Sequence, residues 1–123
     1  MTVALWVAQI LLALAFLAAG TMKATRPKAA LEPMLPWVAD FSATQVRLIG
    51  VVEVLAALGL VLPALTGIAP VLTPVAAAGL VVVMLGAIVV HARRKEPQGI
   101  VMNVVLLAVA AFVAWGRFGP YAF

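Results

Sequence analysis

Four apolar runs of about 17 to 21 residues, each uncharged or nearly so, occupy most of this 123-residue chain. A run of that length crosses a hydrocarbon core of roughly 30 Å as a helix, because the bilayer interior offers no water to unpaired backbone groups. The expected spans are 3–22, 44–62, 70–91 and 99–116. Hydrophobic residues make up 67% of the chain and charged residues 10%, with a mean hydropathy of +1.24, a balance no soluble domain has. The reading is therefore all-α, a four-transmembrane-helix bundle over residues 1–123, with no soluble catalytic domain beside it. None of the spans resembles a strand of an outer-membrane barrel.

The charges fall where they can set topology. Lys23, Arg26, Lys28 and Arg47 border the first loop, Arg93, Arg94 and Lys95 fill the third, the second loop has no basic residue, and the C-terminal end has only Arg117. Seven basic residues against one place the first and third loops in the cytoplasm and both termini outside, in a bacterial inner membrane. The net charge of +4 thus points to lipid headgroups rather than to nucleic acid, and Arg93-Arg94-Lys95 reads as an anchor to anionic lipid. Cysteine is absent, which excludes thiol relays, iron–sulfur clusters and thiolate-bound metals. A single histidine is too few for a typical metal site, and none is expected.

The first span has no Lys or Arg before it, exceeds a signal core in length and is followed by a basic stop-transfer cluster, so it reads as a mature helix that ends with Lys23 snorkelling to the headgroups. The first loop, 24–43, contains Pro27, Pro33 and Pro36, which argue against a continuous helix. Leu31, Met34, Leu35, Trp37, Val38 and Phe41 give it an apolar side, and it is read as an interfacial connector, with a lid over the bundle mouth as the alternative. Ser42 or Thr44 is expected to cap the second span and Pro63 to end it.

Glu53 has nine residues on either side within 44–62, which puts a carboxylate at the bilayer midplane. An ionised side chain there costs several kcal/mol unless it is paired, neutralised or hydrated, so Glu53 is a candidate functional residue. Its helix face carries Val46, Ile49, Gly50, Ala56, Ala57 and Leu60, three of the six being small, and is expected to pack on another helix. Arg47 is six residues away, about 120° of rotation and 9 Å of rise, so no pair within the helix is expected. The bundle interior is expected to carry Gln9 and Glu53 near mid-depth and Lys23, His91 and Asn103 nearer the cytoplasm, and these five are the candidate ligand-binding residues. The plainer readings are a structural interhelix bond for Glu53, helix capping for His91 and interhelical glue for Asn103.

Gly20-x-x-Lys23, Arg47-x-x-Gly50-x-x-Glu53, Gly59-Leu60-x-x-Pro63, Ala76-Ala77-x-Gly79-Leu80, Gly86-Ala87, His91-x-Arg93-Arg94, Asn103 and Gly116-Arg117 follow one another in an order and spacing that resemble the DoxX-like family of small four-helix membrane proteins. The resemblance covers nearly the whole chain and implies an association with quinone-linked or redox-related membrane complexes. In the family, thiosulfate oxidation with quinone reduction involves a partner chain. What the resemblance implies is thus an accessory subunit, with no enzyme activity expected of it alone, holding a quinone or similar amphiphile between its helices. Two alternatives stand beside this: an assembly or scaffold protein for a protein partner or a second copy of itself, and a proton-coupled transporter using Glu53.

Overall fold

The computed structural model describes residues 1–123, all of them in helices, turns and short connections with no strand. Helix α1 spans Thr2–Thr25, a short turn α2 spans Lys28–Leu31, and a 3-10 turn covers Pro36–Asp40. Helices α3 (Ala43–Thr66), α4 (Leu72–Arg93) and α5 (Pro97–Phe118) complete the chain. The four long helices are long and apolar enough to cross a membrane. At 24 residues, α1 and α3 are each about 36 Å long, more than the hydrocarbon core requires, so their ends reach the polar interface.

The helices run past the expected spans because hydropathy locates the apolar stretch, whereas backbone bonding continues for as long as the end groups find partners. The clearest departure is Pro63. Instead of ending α3, it lies inside it, and the helix continues to Thr66 before Gly67, in the left-handed conformation with φ 73°, caps it. Pro63 has no N–H for the carbonyl of Gly59, one turn earlier. The Thr73 hydroxyl of α4 donates to that carbonyl instead, at 3.2 Å. Pro70 also falls outside its expected helix, since Ala69 before it turns at φ 48° and α4 starts only at Leu72. At the start of α3 the expected cap is present: the Ser42 hydroxyl accepts from the Gln45 N–H at 3.1 Å, and the Gln45 side chain accepts from the Ser42 N–H at 2.9 Å.

The bundle is built as two antiparallel pairs, α1 with α3 and α4 with α5. Within the first pair the backbones nearly touch. A Cβ added at Gly50 would lie 2.6 Å from the Gly20 carbonyl oxygen and 2.5 Å from the Ala24 nitrogen. Two facing glycines are what let α1 and α3 come this close. Between the pairs a core of Leu12, Phe16, Leu60, Leu80, Met84 and Val113 fills the middle of the bundle and the part nearer the termini. The outward faces are apolar, with Leu55, Val82 and Val101 largely exposed, as lipid contact requires.

The first loop folds back on the bundle instead of lying free. Leu31 and Val38 bury themselves against Val46 of α3, with Met22, Leu35, Trp37 and Phe41 packed around them. Asp40 accepts a hydrogen bond from Arg94 Nη1 at 2.8 Å, which ties the first loop to the third across the bundle mouth. The carboxylate, by accepting that bond, holds the Arg94 guanidinium above its ordinary range.

Candidate functional site

Lys23 and Glu53 meet between α1 and α3. Lys23 Nζ donates to Glu53 Oε1 at 2.7 Å, with the Glu53 side chain 2% and the Lys23 side chain 13% exposed. The two helices are antiparallel, and every Cα–Cβ bond leans toward the N-terminus of its own helix. Lys23 therefore leans inward and Glu53 leans toward the loops, so two residues at different depths converge. This corrects the expectation that Lys23 reaches the headgroups. Its ammonium also lies 5.4 Å from the centre of the Trp37 ring, a second reason for it to stay within the bundle. Glu53 faces the bundle as expected, and Arg47 is exposed with no ion pair.

The pair opens onto a cavity of about 540 Å³ at the loop end, where the helix pairs are no longer filled by the core. Lys23, Glu53, His91 and Asn103 all line it. The structure thus brings four of the five candidate residues to one space. Its walls are Ile49 of α3, Met84, Ala87 and Val90 of α4, and Met102 of α5. Leu35, Trp37 and Phe41 of the first loop line it as well, so the connector also covers the mouth of the bundle. Trp37 and Phe41 pack edge to face at 5.6 Å between centroids. Asn103 is buried, and its Nδ2 has no hydrogen-bond partner. A buried amide donor left unpaired loses on the order of 1–3 kcal/mol, so this group is an opening for an acceptor from outside the chain.

His91 is positioned by the chain immediately after it. Its Nδ1 lies 3.0 Å from Glu96 Oε1, and the Glu96 N–H donates to the His91 carbonyl at 2.9 Å. Glu96 also faces Arg94 Nε at 3.4 Å, so one carboxylate links His91 to the residue that holds the lid. Of the topology residues, Arg94 therefore has a specific contact as well, while Arg93 and Lys95 are exposed.

Gln9 stands apart, about 21 Å from Lys23 along α1. It belongs to a second polar group at the end of the bundle that carries the termini. Its Nε2 donates to the Leu60 carbonyl at 2.8 Å, and its Oε1 accepts from Arg117 Nε at 2.7 Å. Arg117 is only 4% exposed, donates through Nη1 to the Tyr121 carbonyl at 3.0 Å, and has the Phe123 ring 4.0 Å from Cζ with Trp6 at 5.7 Å. No carboxylate pairs with it. This group locks α1, α3 and α5 together at the point where Pro63 interrupts α3. The sequence shows Gln9 as the one strongly polar residue of its span and Arg117 as the one basic residue near the C-terminal end, but nothing local pairs them.

No three His, Asp or Glu residues cluster in the structure. What it offers is a largely apolar chamber with one ion pair, one free amide donor and one positioned imidazole, suited to an uncharged amphiphile with oxygen at one end. The model of the DoxX-like family matches residues 7–113. No curated protein and no solved structure matches the chain.

Proposed function

The chain belongs to the DoxX-like family of small membrane proteins, and from that premise we propose that its cavity holds an amphipathic small molecule of the quinone type between the helices, as an accessory subunit of a quinone-linked or redox-related membrane assembly. The observation that carries this reading is the Asn103 Nδ2, buried without a partner in the same chamber as the Lys23–Glu53 pair. About 540 Å³ accommodates a substituted ring with the beginning of its tail, and the apolar walls accept both. Lys23 and Asn103 donate to ring oxygens, while Trp37 and Phe41 cover the ring from the first loop. With the basic loops on the cytoplasmic side of a bacterial inner membrane, the chamber opens toward the cytoplasm and both termini lie outside. A periplasm-dependent reporter fused after Phe123 is then active, and a cytoplasm-dependent one silent.

The test is a mass-spectrometric inventory of what co-purifies with gently solubilised protein, comparing wild type with Glu53→Gln and Asn103→Leu. A stoichiometric amphiphile present in the wild type and depleted from folded variants is the expected result. Bulk lipid alone, or a recurring protein partner indifferent to both substitutions, overturns the binding role in favour of assembly or scaffolding.

A further inference from the structure

Two groups on one wall of the chamber have opposite hydrogen-bonding needs. His91 lies flat against the start of α5, where a Cβ at Gly99 would collide with Nδ1, Cε1 and Cγ of its ring. The imidazole is therefore fixed between the Gly99 backbone and the Glu96 carboxylate. A carboxylate can only accept, so in the neutral ring Nδ1 carries the proton and Nε2 keeps its lone pair. That nitrogen makes no hydrogen bond within the chain. Asn103 stands one helical turn beyond Gly99, about 6 Å along α5, with its Nδ2 donor unpaired. An acceptor from α4 and a donor from α5 thus line the same chamber, both open to one bound ligand.

The two redox forms of a quinone-type ring differ at that oxygen. A carbonyl oxygen accepts from Asn103 Nδ2 and leaves His91 Nε2 unpaired, whereas a hydroxyl accepts from the first and donates to the second. We propose that the cavity selects the hydroxyl-bearing, hydroquinone-type form of its ligand over the carbonyl-bearing form, with Glu96 acting as the positioning residue that keeps His91 an acceptor. This rests on the ligand-binding reading above and adds to it a direction of preference. Glu53 does not reverse that preference: Lys23 occupies its Oε1, and its other oxygen can also accept from a hydroxyl. Nor does Lys23, whose ammonium donates to either oxygen.

The experiment is equilibrium binding of duroquinone and durohydroquinone to the protein in lipid nanodiscs, under anaerobic conditions that keep each form intact. The hydroquinone is expected to bind about tenfold more tightly, the effect of one hydrogen bond to a desolvated acceptor. Glu96→Gln, on a loop outside the bundle, lets the amide either donate to or accept from Nδ1. The affinity ratio should then fall toward one, chiefly because the other tautomer donates from Nε2 to the carbonyl oxygen and strengthens quinone binding, and the imidazole nitrogen resonances should change from one tautomer to a mixture. Equal binding of the two forms by the wild type, or a ratio unchanged in Glu96→Gln, overturns the selection and leaves the ligand-binding reading standing. Binding of neither form overturns both.

Discussion

The Thr73 hydroxyl stands where the amide of residue 63 would be, donating at 3.2 Å to the Gly59 carbonyl that Pro63 leaves without a partner. An interruption in one helix is thus repaired by the next one. Thr73→Val should cost about 1 kcal/mol in reversible unfolding, and Thr73→Ser much less. Pro63→Ala supplies the missing N–H, so in that background Thr73→Val should cost almost nothing. Equal costs in the two backgrounds would contradict the repair.

Glu53 is buried and Lys23 partly so, and removing one partner strands the other. Lys23→Met alone and Glu53→Leu alone should each destabilise the bundle by about 3–5 kcal/mol, while the double variant should recover most of the loss because two apolar side chains replace two charges. Calorimetry in detergent on all four proteins checks this. Additive losses would show that the two side chains act independently.

Gly50→Ala should separate α1 from α3, since its new carbon would meet backbone atoms of Gly20 and Ala24 that cannot rotate aside. A loss of about 1–3 kcal/mol is expected. Gly79→Ala is the control, because a Cβ there meets nothing within 4 Å and should leave stability unchanged or slightly higher. Similar behaviour of the two variants would mean that helix propensity, not close approach, governs the effect.

The Asp40–Arg94 contact is partly exposed and holds a loop rather than the bundle, so Asp40→Asn should leave the midpoint of unfolding nearly unchanged. Hydrogen exchange of the amides in Pro36–Asp40 should instead accelerate, as local opening becomes easier. Raising the salt concentration should reproduce part of that acceleration in the wild type. Exchange unaffected by either change would mean that the apolar contacts of Leu31 and Val38 alone hold the lid.

Much of this was legible from residue patterns, and the exceptions share a cause. The four helices followed from the length of the apolar runs, the Ser42 cap from its residue type, and the inward turn of Glu53 from the small residues on its face. Lys23, Glu53, His91 and Asn103 were placed toward one interior, and one cavity receives them. What escaped depended on partners distant in the chain. Pro63 reads as a stop unless Thr73 is known to face Gly59. Arg117 reads as a topology charge at the C-terminal end unless Gln9 and the Phe123 ring are known to surround it. Lys23 reads as a snorkelling residue until the contact of Gly20 with Gly50 aligns the lean of its side chain with that of Glu53. The placement of Trp37 and Phe41 goes with contacts distant in the chain, the packing on Val46 and the Asp40–Arg94 bond across 54 residues, which leave no trace in local composition.

One electrical consequence follows from the Lys23–Glu53 contact. With Lys23 as the ammonium and Glu53 as the carboxylate, the pair carries no net charge. A lone carboxylate inside the bilayer would feel the transmembrane voltage, worth about 2.3 kcal/mol per elementary charge per 100 mV, and its occupancy by protons or ligand would follow the energetic state of the cell. A neutral pair receiving an uncharged molecule moves no gating charge. Under the proposed ligand-binding role, an ion-paired Lys23 and Glu53 would leave occupancy of the chamber independent of the membrane voltage.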